Sequence, residues 1–367
     1  MKNRVRPNIL NVKNYIPGKP IEEVQREFGL KGVMKLASNE NCLGPSPKAI
    51  AAIRKNLFGV NRYPDASNFY LRKKIARFLG VSGDSLIFGN GSDEIIGMAM
   101  RTFAGEGDEV IIAKPTFIMY EIASQLANAR IKFIPVGKDL KHDLVRMKEA
   151  ITDRTKIIFI ANPDNPTGTY VTKKELDVFF RDLPAHVVVF LDEAYFEFAH
   201  RAFDDYPNGM DYLGRKGVIV SRSFSKAYGL AGLRIGYGIS SPEVVSYMER
   251  TREPFNVNLL AQKAAEAAVD DVAFLKKTLT HAATEKNFLY SEFKKMDLPY
   301  FESATNFVLV DIKTDCKAAF TDLLKEGVIV RDMKAWGFDT YIRVTVGTRV
   351  ENRKFIGALK RVLGYKG

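Results

Sequence analysis

The feature that most constrains this chain is a rhythm. Short, nearly uninterrupted runs of Val, Ile, Leu and Phe recur between stretches with helical spacing. Leu86-Ile87-Phe88, Val110 to Ala113, Ile131 to Val136, Ile157 to Ala161, Val187 to Leu191, Val218 to Ser221 and Ile235 to Ile239 read as strands. A strand that is apolar on both faces must be covered on both faces, which a mostly parallel sheet between two helix layers achieves. Amphipathic stretches such as Asp143 to Ala150 and Lys173 to Phe180 supply such helices. The fold class is therefore α/β.

From about Pro254 the rhythm changes. Leu259 to Val269 and Val272 to Lys295 read as long helices. Asn306 to Asp311, Val328 to Arg331 and Tyr341 to Val346 read as strands of a second sheet, and Glu351 to Leu363 as a closing helix. The residues before Ala49 are rich in Pro, Gly and Asn and are expected to form an extended arm. A chain of 367 residues exceeds what one core usually spans. The expected division is an arm at 1–45 belonging to a small α+β domain, a large domain at 46–252, and the rest of the small domain at 253–367.

Several classes are disfavoured. The apolar runs are too short to span a membrane, and nothing near Met1 has the core of a secretory signal. With only Cys42 and Cys316 there is no disulfide framework, so a reducing cytoplasm is the expected compartment. The net charge of +12 raises nucleic acid as a partner, yet the densest basic cluster, Arg72-Lys73-Lys74, is only three residues long. Anionic small molecules suit the same charge. His142, His186, His200 and His281 lack ligand spacing, so no metal is expected. Trp336 is assigned to the core.

Polar residues gather where strands end. Gly89-Asn90-Gly91-Ser92-Asp93-Glu94 follows a strand and opens a helix, a place where free N–H groups favour an anion. It is not a dinucleotide fingerprint, because Glu94 stands where the third glycine belongs. Alone it reads as a plain turn. Asn162-Pro163-Asp164-Asn165-Pro166-Thr167-Gly168, Leu191-Asp192-Glu193-Ala194-Tyr195 and Ser221-Arg222-Ser223-Phe224-Ser225-Lys226 follow three more strands. Each has a bland reading too: a solvated lysine, a helix cap at Asp192, an Asn-Pro turn. Their convergence outside the carboxyl ends of a parallel sheet is what marks a ligand crevice.

This pattern resembles the fold-type I aminotransferases that use pyridoxal phosphate (PLP). The run Ser223-Phe224-Ser225-Lys226-Ala227-Tyr228-Gly229-Leu230-Ala231-Gly232-Leu233-Arg234 looks like that of their histidinol-phosphate aminotransferase branch. The blocks Asn14 to Lys19, Ala37 to Asn41, Arg62 to Asp65, Arg252 to Asn258 and Ile342 to Thr348 extend the likeness over nearly the whole chain. The resemblance implies that Lys226 forms the Schiff base with PLP and, once freed, moves the α-proton. Asp192 would keep the pyridine nitrogen protonated. Asn165 and Tyr195 would bond the ring's 3-oxygen, with Asn165 also facing substrate, and Phe117 would stack on the ring. Gly91, Ser92, Asp93, Ser223 and Arg234 would hold the phosphate, and Ser225 would also contact the cofactor. Tyr63 would reach the phosphate of a neighbouring subunit, implying a homodimer with shared sites. Arg343, Arg331 and Tyr15 would bind the anionic end of the substrate.

The implied reaction moves an amino group between glutamate and imidazole-acetol phosphate in histidine biosynthesis. The alternatives are an aromatic amino-acid aminotransferase of the same subfamily, a PLP-dependent decarboxylase of a phosphorylated amino acid, and an anion- or nucleic-acid-binding protein with a dead site.

Overall fold

The computed structural model describes residues 2–12, 14–15 and 17–365. Ile16, within the Asn14 to Lys19 block, lies outside the described residues, as do Met1 and Lys13 of the arm and residues 366 and 367.

A seven-stranded sheet forms the centre. Its spatial order is Leu86–Gly89, Gly236–Ile239, Val218–Ser223, Val188–Asp192, Thr155–Ala161, Glu109–Lys114, Arg130–Pro135. Only Gly236–Ile239 runs antiparallel to its neighbours. The inner strands are buried on both faces, as their continuous apolar runs require. One apolar cluster packs on each face. Ile158, Ile160, Val189, Leu191 and Val220 face one layer, and Ile157, Phe159, Phe190 and Ile219 the other. The alternation of side chains along a strand makes this division unavoidable.

The other body has its own core. Leu289 and Phe293 of the long helix Val272–Lys295 pack with Val308, Val310, Ile342, Val344 and Phe355. Met34 and Leu36 belong to the same cluster, so the N-terminal segment and the C-terminal third share one core. Its three-stranded antiparallel sheet has the order Arg331–Asp332, Tyr341–Thr345, Phe307–Asp311. The helix Leu259–Ala268 instead buries Ala261, Ala264, Ala265 and Ala268 in the main cluster of the large sheet.

Two expectations are corrected. The segment before Ala49 is not wholly extended: Ile21–Phe28 is a helix ended by Gly29 at φ 66°, and the helix Pro47–Asn56 begins before Ala49. Val24, which is buried, and Ile21 and Phe28 pack against Leu324 and Ile329, a long-range contact that composition alone does not signal. The expected strand Val328 to Arg331 is two elements. Val328–Ile329 pairs in parallel with Met34–Lys35, whereas Arg331–Asp332 pairs with the strand carrying Arg343. The switch turns Arg331 toward the cavity between the two bodies.

Among the described residues no helix is long and apolar enough to cross a membrane, and no group of three His, Cys, Asp or Glu could hold a metal.

Candidate active site

The carboxyl ends of the central strands open into a cavity that the second body closes. Tyr15, Ser92, Asp93, Phe117, Asn165, Asp192, Tyr195, Ser223, Ser225, Lys226, Arg234, Arg331 and Arg343 all line it. Thirteen predicted residues, drawn from eight separate segments, thus meet in one place. Gly91 sits just outside the lining. Tyr63 is elsewhere, 82% exposed and stacked on Phe255 with ring centroids 4.6 Å apart.

Asp192 ends its strand at the cavity, where it is almost completely buried. Burial pushes its carboxyl up to about 6, while the hydroxyl of Tyr120, 2.7 Å away, and the N–H of Ala194, 3.1 Å away, hold it down. A buried carboxylate with this environment is matched to a cationic ring nitrogen. Across the cavity, burial lowers the affinity of the Lys226 amine for protons to about 8, helped by Arg343 and Arg234. Such an amine is partly neutral near physiological pH and can act as a nucleophile. Its Nζ lies 3.4 Å from the carbonyl oxygen of Ser38.

The helix Ser92–Phe103 starts at the cavity, where its free backbone N–H groups suit an anion. Gly91 adopts φ 82°, and a Cβ there would lie 2.4 Å from Nη2 of Arg234. Only glycine lets the guanidinium approach this backbone. Arg234, itself at φ 56°, is held by Asp93 at 3.1 Å and by the carbonyl of Ala231. Ser223 and Ser225 add hydroxyls beside Lys226.

A second group of cavity-lining cations is separate from this one. Arg343 is only 7% exposed, donates to the side-chain oxygen of Asn165 and, at 2.8 Å, to the carbonyl of Ala37. Among the described residues its Nε has no hydrogen-bond partner, a buried donor awaiting an acceptor. Burial and the nearby Arg331 lower its affinity for protons to about 10. The hydroxyl of Tyr195 accepts from Asn39 at 2.9 Å, and its ring meets Phe307 edge-on. A ring nitrogen, an aldehyde, a phosphate and a substrate anion each have a partner here, so the residues fit PLP.

Three contributors were not foreseen. Tyr120 was missed because, three residues after Phe117, it reads as a core position of a helix. Asn39 lay within a recognised block without a role. Trp336 is corrected from core to cavity wall. It sits on the short turn Lys334–Trp336, its Nε1 donates to the carbonyl of Thr116 at 3.1 Å, and the Arg331 guanidinium lies 5.2 Å from its ring.

Comparison with known proteins gives the same picture. Residues 31–359 match the family model described as Aminotransferase class I and II. The chain is 48% identical over 362 residues to a histidinol-phosphate aminotransferase of Moorella thermoacetica, covering 98% of this chain and 93% of that protein. It is 47% identical over 360 residues to histidinol-phosphate aminotransferase 2 of Carboxydothermus hydrogenoformans, covering 98% and 99%. The solved structure of a histidinol-phosphate aminotransferase from Sinorhizobium meliloti in complex with pyridoxal-5'-phosphate superposes with a TM-score of 0.90 at 29% identity, covering 98% of each chain. With the family model spanning most of its length, the chain belongs to the class I and II aminotransferases.

Proposed function

We propose that the protein is a PLP-dependent histidinol-phosphate transaminase, exchanging an amino group between the glutamate/2-oxoglutarate pair and the histidinol phosphate/imidazole-acetol phosphate pair. The observation that carries this reading is the pairing of two independent anion sites in one cavity. Arg234 with the Gly91 turn would take the cofactor phosphate. Arg343 with Arg331 and Tyr15 would take the substrate's phosphate or carboxylate.

Bound PLP supplies an electron sink for charge developing at the substrate α-carbon. Asp192 keeps a positive charge at the ring nitrogen favourable, and Tyr120 keeps Asp192 ionised. Lys226 would anchor the cofactor through its amine, and its free Nζ would accept and return the α-proton of the substrate. Asn165 and Tyr195 would orient the ring through its 3-oxygen, and Phe117 would cover its face. Asn165 also fixes Arg343, so cofactor and substrate anion are aligned through one side chain.

A homodimer belongs to the same reading. Phe58, Val60 and Tyr63 stand exposed between the helices Pro47–Asn56 and Phe69–Leu79, with Phe58 at 98%. An apolar patch of this kind suits a second copy, whose Tyr63 would complete this site's phosphate contacts. So do a cytoplasmic location and the division at 46 and 252, with the helix Leu259–Ala268 attached to the large-sheet core.

Trp336 favours a second reading, since an indole at the cavity wall accepts a phenyl ring as readily as an imidazole. The visible absorption of the PLP-loaded protein separates the two. Histidinol phosphate should change the cofactor's band at far lower concentration than phenylalanine. The reverse order leaves an aromatic amino-acid transaminase, and no band at all ends the PLP reading.

A further inference from the structure

We propose that the buried ion pair Glu193–Arg222 is a positioning device that fixes the cofactor's ring-nitrogen carboxylate against its phosphate cup. The inference rests on the reading that Asp192 and Ser223 hold PLP. Successive side chains of a strand point to opposite faces. Asp192 and Ser223 line the cavity, so Glu193, the next residue after one, and Arg222, the residue before the other, turn to the reverse side.

There the two are joined. Nη2 of Arg222 lies 2.8 Å from Oε2 of Glu193, and Nε donates to the same oxygen at 2.9 Å. Their side chains are 4% and 2% exposed. The other valences are nearly filled as well. Nη2 also donates to Oδ1 of Asn208 at 2.8 Å, and the guanidinium lies over the Phe196 ring at 3.5 Å. The N–H of Gly209 donates to Oε1 of Glu193 at 2.6 Å.

The backbone adds a further tie, from the N–H of Glu193 to the carbonyl of Ser221 at 2.8 Å. The two strand ends are thus clamped from behind at the point where each presents a cofactor-facing group. None of this network lines the cavity, and none of it takes part in the proposed chemistry. Charges this deeply buried are costly to retain and contribute little to net stability compared with apolar side chains of similar size. Orientation of Asp192 and Ser223 gives the pair a role that stability does not.

This difference supplies the test. Replacing a buried ion pair wholesale by apolar residues is often neutral for stability, whereas removing one partner strands the other charge. The double variant Glu193→Met, Arg222→Met should therefore fold, with a thermal midpoint of the cofactor-free protein near that of the parent. It should bind PLP about tenfold more weakly, the change that about 1.4 kcal/mol of lost orientation produces. It should also move the visible band of the bound cofactor. Gly209→Ala approaches the pair from outside, since a Cβ there would lie 2.7 Å from Oε1 of Glu193, and should give the same two effects in milder form. An unchanged PLP affinity and band in either folded variant overturns the proposal. So does a set in which affinity falls only in step with the cofactor-free thermal midpoint, because the pair would then be a structural tie. All readouts are taken without substrate. A failure of the parent protein to bind PLP would fault the cofactor reading and not the pair.

Discussion

Tyr120→Phe isolates a single interaction at the centre of the site. The Tyr120 ring is fully buried and stacked on Phe159 at 4.7 Å with an interplanar angle of 9°, so the ring stays in place when its hydroxyl is removed. What is lost is the 2.7 Å hydrogen bond to Oδ2 of Asp192. A hydrogen bond to a buried charged group contributes about 1.5–3 kcal/mol. Because this one goes to the ionised form, its loss raises the proton affinity of Asp192 about ten- to a hundredfold. Burial already holds the carboxyl at about 6, and only the Ala194 N–H would remain as a close opposing donor. Near pH 7 the parent's Asp192 is mostly ionised, while the variant's becomes largely protonated. Carboxyl carbon NMR of the cofactor-free protein, assigned with Asp192→Asn, reads this directly. The sign for stability follows from proton binding. The native state holds its Asp192 proton to higher pH than the unfolded chain does. Asp192 therefore subtracts stability as pH rises from about 4 to about 6, and the variant extends that loss to higher pH. A variant midpoint equal to the parent's, or below it, would refute the reasoning.

Other substitutions probe the remaining groups. Gly91→Ala combines a strained φ of 82° with a collision at Arg234 and should weaken PLP binding at least about tenfold, measured by equilibrium dialysis. Arg343→Lys keeps a charge but loses the fork that reaches Asn165 and Ala37. About 2–4 kcal/mol of charged hydrogen bonding is at stake, so kcat/KM should fall about a hundredfold, mainly through KM, for both substrate pairs. The lowered proton affinity of Lys226 means that the native cofactor-free protein binds fewer protons than the unfolded chain between about 8 and 10.5. Its stability should rise with pH across that window, and Lys226→Met should flatten the rise in a urea titration series.

Much of this architecture is legible in the sequence because burial leaves a direct trace. A strand such as Thr155–Ala161, covered on both faces, must be apolar at nearly every position, and its end is marked where polar residues resume. The cavity residues Lys226, Asp192 and Arg234 were legible because they follow such ends in a recognisable order. Residues whose role depends on a distant partner were not. Tyr120 looks like core because it is core on every side but one. Trp336 stands on a short turn whose placement follows from the pairing of Arg331 and Asp332 with the neighbouring strand, a register of two residues with almost no sequence signal. The helix Leu259–Ala268 sorts with the large sheet through small apolar contacts made by alanines, and its composition is compatible with either body.

The pairing of Leu86–Gly89 with Gly236–Ile239 bears on how the protein matures. Asp93 and Arg234 meet across 141 residues of chain, and the meeting depends on a strand that is inserted between Leu86–Gly89 and Val218–Ser223. Before that insertion the two halves of the proposed phosphate cradle belong to parts of the chain far apart in sequence. Closing so long a loop is a slow, non-local event. The cofactor therefore has no cradle to bind until the sheet is complete, and cannot template its assembly. By binding only the finished state it acts on the native side of the folding barrier. Free PLP should slow unfolding and leave the rate of refolding unchanged.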